Sequence, residues 1–262
     1  MKMRAFCPGV ELSSDVFARL VLAIVLLGWA TTARAEQLDI QQAADAFQRT
    51  AIEPAFRAVS ARDTARARLL VTTVTSGLQE LHPTVRLAQV TNLQRLARGY
   101  IDIALYDDAL TLLDAAAAAL TPAGTVGNPT LALILVDMAR AHRLSGRPDA
   151  AAPLVARAQT LRPSTGFDPD AFPIQAELAE LRRERRDLAG AETLLRPLIA
   201  AADRMSNWQS LPPLIPVFEA YAALLTDRGD AAAARAFTER AATIRRTMNE
   251  ADEQMRRLLQ RK

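Results

Sequence analysis

The amino-acid sequence predicts an all-α protein built from repeated helical hairpins. Three observations support this fold class. Alanine dominates the apolar residues, which make up half of the 262-residue chain, while aromatic residues are only 5%. Small residues recur at constant spacing in four segments, and no segment sustains the two-residue alternation of a half-buried strand. Alanine is the best helix former, whereas strands favour β-branched and aromatic side chains.

The recurring small residues form three columns across segments that begin at Leu96, Met138, Leu178 and Tyr221. Successive segments are offset by 42, 40 and 43 residues in every column. Small side chains let neighbouring helices approach closely, so the columns predict stacked helix–turn–helix units. The columns hold Ala97, Ala139, Ala179 and Ala222; then Ala109, Ala151, Ala191 and Ala234; then Ala116, Ala158, Leu198 and Ala241.

Turn-forming residues separate the two helices of a unit. Residues 145–149 (SGRPD) and 227–230 (DRGD) are clear helix breakers. Pro122 and Pro163 follow the second helices of the first two segments, where a proline cannot continue a helix.

The small residues, turn glycines and closing prolines resemble the tetratricopeptide-repeat (TPR) family. The family's simple period is about 34 residues, and the longer period here resembles its kinesin-light-chain-type variant, in an exported bacterial protein. The resemblance covers residues 85–246 and implies a right-handed superhelical solenoid of antiparallel helix pairs. The third segment departs from the pattern, with Arg186 at the turn glycine and Asp203 at the closing proline, and all four segments lack the early tryptophan.

Helices are also predicted on both sides of these repeats. Residues 36–83 read as an amino-terminal helix pair without an alanine column, either a divergent repeat or a cap. Residues 84–262 contain the repeats and end in one long capping helix, from Ala231 to about Gln260, whose charged tail suits the exposed end of a solenoid.

Residues 1–35 have the order of a secretory signal peptide. An uncharged apolar run at 20–29 follows basic residues, and a small-x-small motif ends at Ala35, the expected cleavage point. The run is too short to span a bilayer, so we expect no membrane span in the mature chain. These features predict a periplasmic or secreted protein; the alternative is an amino-terminal anchor in the inner membrane.

The sequence offers little for catalysis or metal binding. Cys7 precedes the apolar run, so the chain after Ala35 has no cysteine for a disulfide, a nucleophile or a metal site. We expect His82 to bond the last carbonyls of a helix end and His142 to be a packed, hydrogen-bonded core residue. No phosphate loop, dinucleotide fingerprint or nucleophile elbow is present. The sequence therefore predicts no catalytic residue, no metal and no cofactor.

The net charge argues against nucleic acid as a partner. The whole chain carries a formal charge of +3, and residues 36–262 carry an excess of only one positive group. So small an excess cannot drive binding to a phosphate backbone.

The resemblance to the TPR family implies that the first helix of each repeat lines a concave groove. Arg98 and Arg140 would occupy equivalent places 42 residues apart and clamp the carboxylates of a peptide. Alternatively, Arg140 and Arg143 each pair with Asp137 at helical spacing. The predicted partner-binding residues are Gln94, Arg95, Arg98, Asp102, Asp137, Arg140, Arg143, Glu180 and Arg183.

These features predict a non-enzymatic adaptor that binds a peptide segment or a partner protein in its groove in the cell envelope. A second hypothesis is a structural or assembly subunit that uses convex or terminal surfaces, with residues 211–215 (LPPLI) as a candidate apolar patch. An enzyme on a helical scaffold is the third, since a fold alone never excludes activity. The sequence does not specify the oligomeric state.

Overall fold

The computed structural model describes residues 36–120, 128–162 and 168–259. The predicted signal peptide at 1–35, with Cys7 and the cleavage point, lies outside these residues, as do Pro122 and Pro163. Across the described ranges, no helix is long and apolar enough to cross a membrane.

The described residues are helical and contain no strand, as the composition predicts. Helix α1 covers residues 36–60 and includes a π-helical turn at Gln48–Ile52. Short 3₁₀ turns precede two later helices, at Pro169–Ala171 and Trp208–Ser210. The other helices are α2 (Thr64–Glu80), α3 (Pro83–Ala88), α4 (Val90–Asp102), α5 (Tyr106–Leu120), α6 (Pro129–Leu144), α7 (Pro148–Leu161), α8 (Phe172–Glu184), α9 (Leu188–Asp203), α10 (Leu214–Asp227) and α11 (Ala231–Leu259).

Five hairpins share one turn geometry. In each turn a residue with positive φ ends the first helix, and the next residue donates its N–H to a carbonyl five positions earlier, as Arg147 does to His142 (2.9 Å). This is the Schellman motif, which satisfies carbonyls that the helix end leaves free. The positive-φ residues are Arg62, Ala104, Gly146, Arg186 and Gly229, offset by 42, 42, 40 and 43 residues.

Aspartates start the second helix in three of the hairpins. The side chains of Asp63, Asp187 and Asp230 each accept a hydrogen bond from the backbone N–H three residues later, at 2.8–3.0 Å. A single aspartate position thus closes the turn through its backbone and caps the next helix through its carboxylate.

The alanine columns are confirmed as packing positions. The eleven alanines of the three columns are buried, with exposures of 0–6%, and Leu198 is partly buried. Because each helix presents a small side chain at its contacts, the hairpins nest closely.

The amino-terminal helix pair repeats the same three columns. Ala55, Ala67 and Val74 lie 42 residues before Ala97, Ala109 and Ala116, and each is fully buried. Small or β-branched buried residues thus recur at the same offset in the helix pair, with Val74 in place of an alanine in the third column. The turn residue Arg62 likewise lies 42 positions before Ala104. These positions favour the divergent repeat over the cap for residues 36–83.

The hairpins stack so that α1, α4, α6, α8 and α10 form the inner layer and the second helices form the outer one. The Tyr100 hydroxyl on α4 ties two repeats together by donating to the Ala67 carbonyl on α2 (2.6 Å). Burial, assisted by Asp108, raises the pKa of Tyr100 to about 12. Helix α8 joins two apolar cores, since Ile174 packs with the amino-terminal core and Ala176 with the carboxy-terminal one.

Helix α11 is the longest element and has 29 residues, whereas its hairpin partner α10 has 14. Ala241 and Ile244 pack in the core, as expected of a hairpin helix. Beyond them the helix does not simply project into solvent as a cap, because Arg245, Met248 and Asn249 line a cavity on the inner side of the solenoid.

Substituting the strained turn residue Arg186 by glycine is expected to stabilise the protein. Arg186 has φ 63°, a conformation that disfavours residues with a Cβ atom. The relief outweighs the extra freedom that glycine brings to the unfolded chain, so the free energy of unfolding should rise by about 0.5–1 kcal/mol. Arg185→Gly is the matched control, since Arg185 is equally exposed but has φ −80°. Denaturant melts should show a loss in the control, and a loss in Arg186→Gly would contradict the strain argument.

Candidate functional site

A cavity of about 380 Å³ lies on the inner side of the solenoid. It is enclosed by α4, α6, the amino-terminal ends of α8 and α10, and the second half of α11. Much of the wall is apolar and includes several prolines, whose fixed backbone angles make that part of the wall stiff. The main apolar lining residues are Ile101, Leu133, Val136, Pro173, Ile215 and Met248.

Four of the predicted binding residues meet at this cavity. Arg98 and Asp102 lie one turn apart on α4, and Asp137 and Arg140 lie on the neighbouring helix α6. Repeat stacking brings these two helices side by side, although their residues are about 40 positions apart in sequence.

The other predicted residues lie on the same inner layer but outside the cavity lining. Gln94 is buried and holds Asp137, while Arg95 is exposed and stacks over the Phe56 ring, 5.8 Å from its centroid. Arg143, Glu180 and Arg183 form ion pairs between α6, α8 and α10, as the following contacts show.

Asp137 joins α6 to α4. Its carboxylate is buried and accepts from the Gln94 amide (2.6 Å) and from Nε of Arg98 (2.9 and 3.0 Å). The alternative of ion pairs within α6 is therefore wrong, since Asp137 pairs with α4. The terminal amino groups of Arg98 remain free for other partners, because the bond to Asp137 uses only Nε.

Arg143 joins α6 to α8 in a buried cluster of charges. Its guanidinium donates to Glu177 (2.6 Å) and to Glu184 (3.1 Å), and it lies 3.3 Å from Glu180. The side chains of Arg143 and Glu177 are only 8% and 5% exposed. Burial alone would lower the pKa of Arg143, but the surrounding carboxylates raise it. Burial raises the pKa of Glu177, and the charge of Arg143 opposes that shift.

Two further contacts extend this pattern to the last hairpin. Arg183 donates to Glu180 on its own helix (2.9 Å) and to Asp227 on α10 (2.8 Å). Its pKa is raised by these carboxylates, against the opposing effect of burial.

Glu219 on α10 links two cations of the cavity wall. It accepts from Arg140 on α6 at 3.5 Å and forms a closer ion pair with Arg245 on α11. The long last helix is thereby fixed to the inner layer beside the cavity. We call the whole set of inner-layer ion pairs the ladder: Arg98, Asp137, Arg140, Arg143, Glu177, Glu180, Arg183, Glu184, Glu219, Asp227 and Arg245.

Asp102 is the exception among the lining carboxylates. It accepts no hydrogen bond and forms no ion pair within 4 Å among the described residues, whereas Asp137 and Glu177 are both paired. Asp102 is exposed to solvent, but partial desolvation beside the cavity wall raises its pKa above the ordinary 3.8, although Arg140, Arg245 and, more weakly, Arg62 lower the pKa and Glu219 raises it.

Several lining residues had no local sequence signal. Arg245, Met248 and Asn249 follow the last packed turn of α11, where the sequence suggested only a solvated tail. Within the apolar segment 211–215, Leu214 is fully buried, Pro212 is exposed and Ile215 lines the cavity.

The two histidines occupy different environments from those expected. His82 caps the start of α3 by accepting from the Thr84 N–H (3.4 Å), so it does not serve the end of the preceding helix. His142 is partly buried, but its Nδ1 has no hydrogen-bond partner in the described part of the chain, and burial lowers its pKa. No group of three or more metal-ligating side chains occurs within residues 36–120, 128–162 and 168–259.

Comparison with known proteins identifies the fold of the chain but no function. No protein-family model and no curated protein sequence matches the chain. A single-substitution variant of nearly identical TPR-like repeats, from a Podosopora anserina protein described as a kinesin light chain, is 21% identical to this chain. It aligns with a TM-score of 0.51 over 78% of this chain and 96% of its own.

Two further solved structures are similar. The parent of those repeats is 22% identical, with a TM-score of 0.49 over 77% of this chain and 96% of its own. BtubC (BKLC) from P. vanneervenii is 18% identical, with a TM-score of 0.49 over 81% of this chain and 90% of its own. The stacked helix pairs of the described residues, together with the first of these likenesses, show that the fold is a TPR-like helical-repeat solenoid.

Proposed function

We propose that the protein is a non-enzymatic adaptor that binds a peptide segment of a partner protein in the cavity on its inner face. The observation that carries the proposal is the cavity itself, which combines apolar walls with the charged residues Arg98, Asp102 and Arg140. Apolar walls with a few placed polar groups are typical of binding sites, and the prolines and ladder pairs hold the site in shape before a partner arrives.

We further propose that the protein acts in the cell envelope. The order of basic residues, apolar run and small-x-small motif within residues 1–35 supports export. The absence of cysteine after Ala35 suits a domain that relies on its apolar core for stability. Detection of an amino terminus at Glu36 in the protein isolated from its host would test this directly, and an intact Met1 terminus would contradict cleavage.

Filling the cavity should abolish peptide capture. Leu133 lies on α6 and is partly exposed within the cavity, so Leu133→Trp places a large ring in the binding space. Leu144→Trp is the matched control, because Leu144 lies on the same helix, is 40% exposed and does not line the cavity. A displayed library of random peptides would be selected on each purified protein.

Peptide sequences enriched on the wild-type protein should also be enriched on Leu144→Trp. Their enrichment on Leu133→Trp should be at least about tenfold lower, because the loss of a buried side-chain contact costs about 1.4 kcal/mol or more in binding free energy. Equal enrichment on all three proteins, or none on the wild type, would refute the cavity as a peptide site.

Arg98 and Arg140 both form ion pairs of the ladder, so a substitution at either position also affects the scaffold. Arg98→Glu would face Asp137 and Arg140→Glu would face Glu219, so charge reversal creates repulsion inside the scaffold. Glutamine at both positions removes the charges while it keeps hydrogen-bonding capacity. The pair Arg98→Gln and Arg140→Gln is therefore the appropriate variant for partner capture.

A further inference from the structure

The charged groups that line the cavity are equal in number but are not all paired. The lining contains three arginines (Arg98, Arg140 and Arg245) and three carboxylates (Asp102, Asp137 and Glu177). Asp137 and Glu177 each form an ion pair with an arginine, and Asp102 is the lining carboxylate without an ion pair among the described residues. An incoming cation can pair with Asp102 without breaking an existing contact.

An incoming anion meets a different situation. The guanidiniums of Arg140 and Arg245 are already shared with Glu219, so a ligand carboxylate that approached them would compete with a carboxylate of the scaffold. The terminal amino groups of Arg98 are open to an anion, since Arg98 bonds Asp137 through Nε alone. At Asp102 itself a cation gains a partner and an anion is repelled by the carboxylate, although Arg140 and Arg245 act against the cation there.

The position of Asp102 in the fold adds to this preference. Asp102 is the last residue of α4, where the aligned peptide dipoles place partial negative charge. A cation bound to the Asp102 carboxylate therefore interacts favourably with the carboxylate and with the negative end of the α4 dipole. The apolar residues Ile101, Leu133 and Val136 line the same cavity and offer contact surface for a long aliphatic stem.

We propose that the cavity recognises a lysine or arginine side chain of the partner peptide, with the cationic head on Asp102 and the flanking apolar residues against the proline-lined wall. This inference rests on the proposed function and specifies its partner. It assigns Asp102 as the residue that determines specificity.

The proposal predicts how binding depends on pH. Only the ionised carboxylate of Asp102 attracts the cation, and partial desolvation raises the pKa of this group despite Arg140, Arg245 and Arg62, which face it together with Glu219. Affinity is therefore lost as the pH falls through a value above the ordinary 3.8. Asp102→Asn should abolish this pH dependence.

Three capped peptides separate the possible ligands. The probes are acetyl-Leu-Pro-Lys-Pro-Leu-amide and its counterparts with norleucine or glutamate in place of lysine. All three lack terminal charges, so only the central side chain differs. Binding to the full chain would be measured by calorimetry at low ionic strength, on the wild type, on Asp102→Asn and on the control Asp114→Asn, which changes an exposed aspartate on α5.

The lysine peptide should bind the wild type and Asp114→Asn at least about tenfold more tightly than it binds Asp102→Asn, because a charge-assisted hydrogen bond contributes about 1.5–3 kcal/mol, and 1.4 kcal/mol is a tenfold change. The norleucine peptide should bind all three proteins alike. Asp102→Asn should fold at least as well as the wild type, since it removes an unpaired charge, and a thermal melt verifies this.

Three results would overturn the inference: no binding of the lysine peptide, tighter binding of the glutamate peptide, or an unchanged affinity in Asp102→Asn. None of them refutes a peptide site at the cavity, which the library selection on Leu133→Trp tests separately. Failure of that selection refutes both.

Discussion

Arg143→Ala is expected to lower the free energy of unfolding by about 3–5 kcal/mol, because it leaves buried carboxylates without their cation. Glu177 is 5% exposed and has its closest cation in Arg143. Among the described residues, Glu180 would keep only Arg183 within 4 Å. Burial already raises the pKa of Glu177 with the cation present, so the variant should bind protons there more readily. Denaturant melts monitored by circular dichroism would measure the loss.

The exposed arginine at position 157 is the matched control for this substitution. Arg157 lies on the outer helix α7 and forms no ion pair in the described ranges, so Arg157→Ala should change stability by less than about 0.5 kcal/mol. Adding Glu177→Leu to Arg143→Ala should restore part of the loss, since the buried charge is then removed with its partner. A loss for Arg143→Ala no larger than that of Arg157→Ala would show that the buried pair does not stabilise the stack.

The repeat columns show which part of the fold the sequence could predict. A small side chain is required wherever two helices touch, and this requirement is local to each position, so it leaves a visible period. Ala139 and Ala151 are fully buried as that period predicts. In the amino-terminal helix pair the period is harder to see, because Val74 occupies the position of the third column and Arg62 the position of the turn glycine.

The ladder shows what the sequence could not predict. The partners of its ion pairs are far apart in the chain, at separations of 39 residues for Arg98 and Asp137 and 34 for Arg143 and Glu177. Which charge meets which depends on the rotation between stacked hairpins, and no local pattern records that rotation. Helical spacing suggested that Asp137 pairs with arginines of its own helix α6. In the stacked structure its ion pair is with Arg98 on the neighbouring helix α4.

The cavity also could not be predicted in full, because part of its wall depends on contacts between residues far apart in sequence. Its α4, α6 and α8 walls follow from the repeat register, but its α11 wall depends on where a helix of 29 residues goes after its packed turns end. The charged tail of that helix has the composition of a solvated surface. Only tertiary structure shows that Arg245 reaches Glu219 and the cavity.

Phe218→Ala should remove the α11 wall of the cavity, because the substitution is expected to unfold the α10–α11 hairpin before the rest of the protein. Phe218 is fully buried and packs edge-on against Trp208 at a centroid distance of 5.7 Å and, with tilted rings, against Phe237 at 6.0 Å. The guanidinium of Arg240 lies 4.3 Å from the centroid of the Phe218 ring. Deleting a buried phenylalanine costs about 3–5 kcal/mol, and here the loss falls on a core that is separate from the amino-terminal one.

In a solenoid each repeat is stabilised only by its neighbours, so the damage should stay local. Amide exchange should accelerate across α10 and α11 in Phe218→Ala, while α4 and α6 keep their protection. Peptide capture should fall with it, since Arg245 and Met248 leave the cavity wall. Phe218→Leu, which retains much of the apolar volume, is the control and should lose less stability and keep capture. Uniform acceleration through all repeats would instead mean that the two cores unfold as one unit, and the carboxy-terminal hairpin would then have no independent part in closing the cavity.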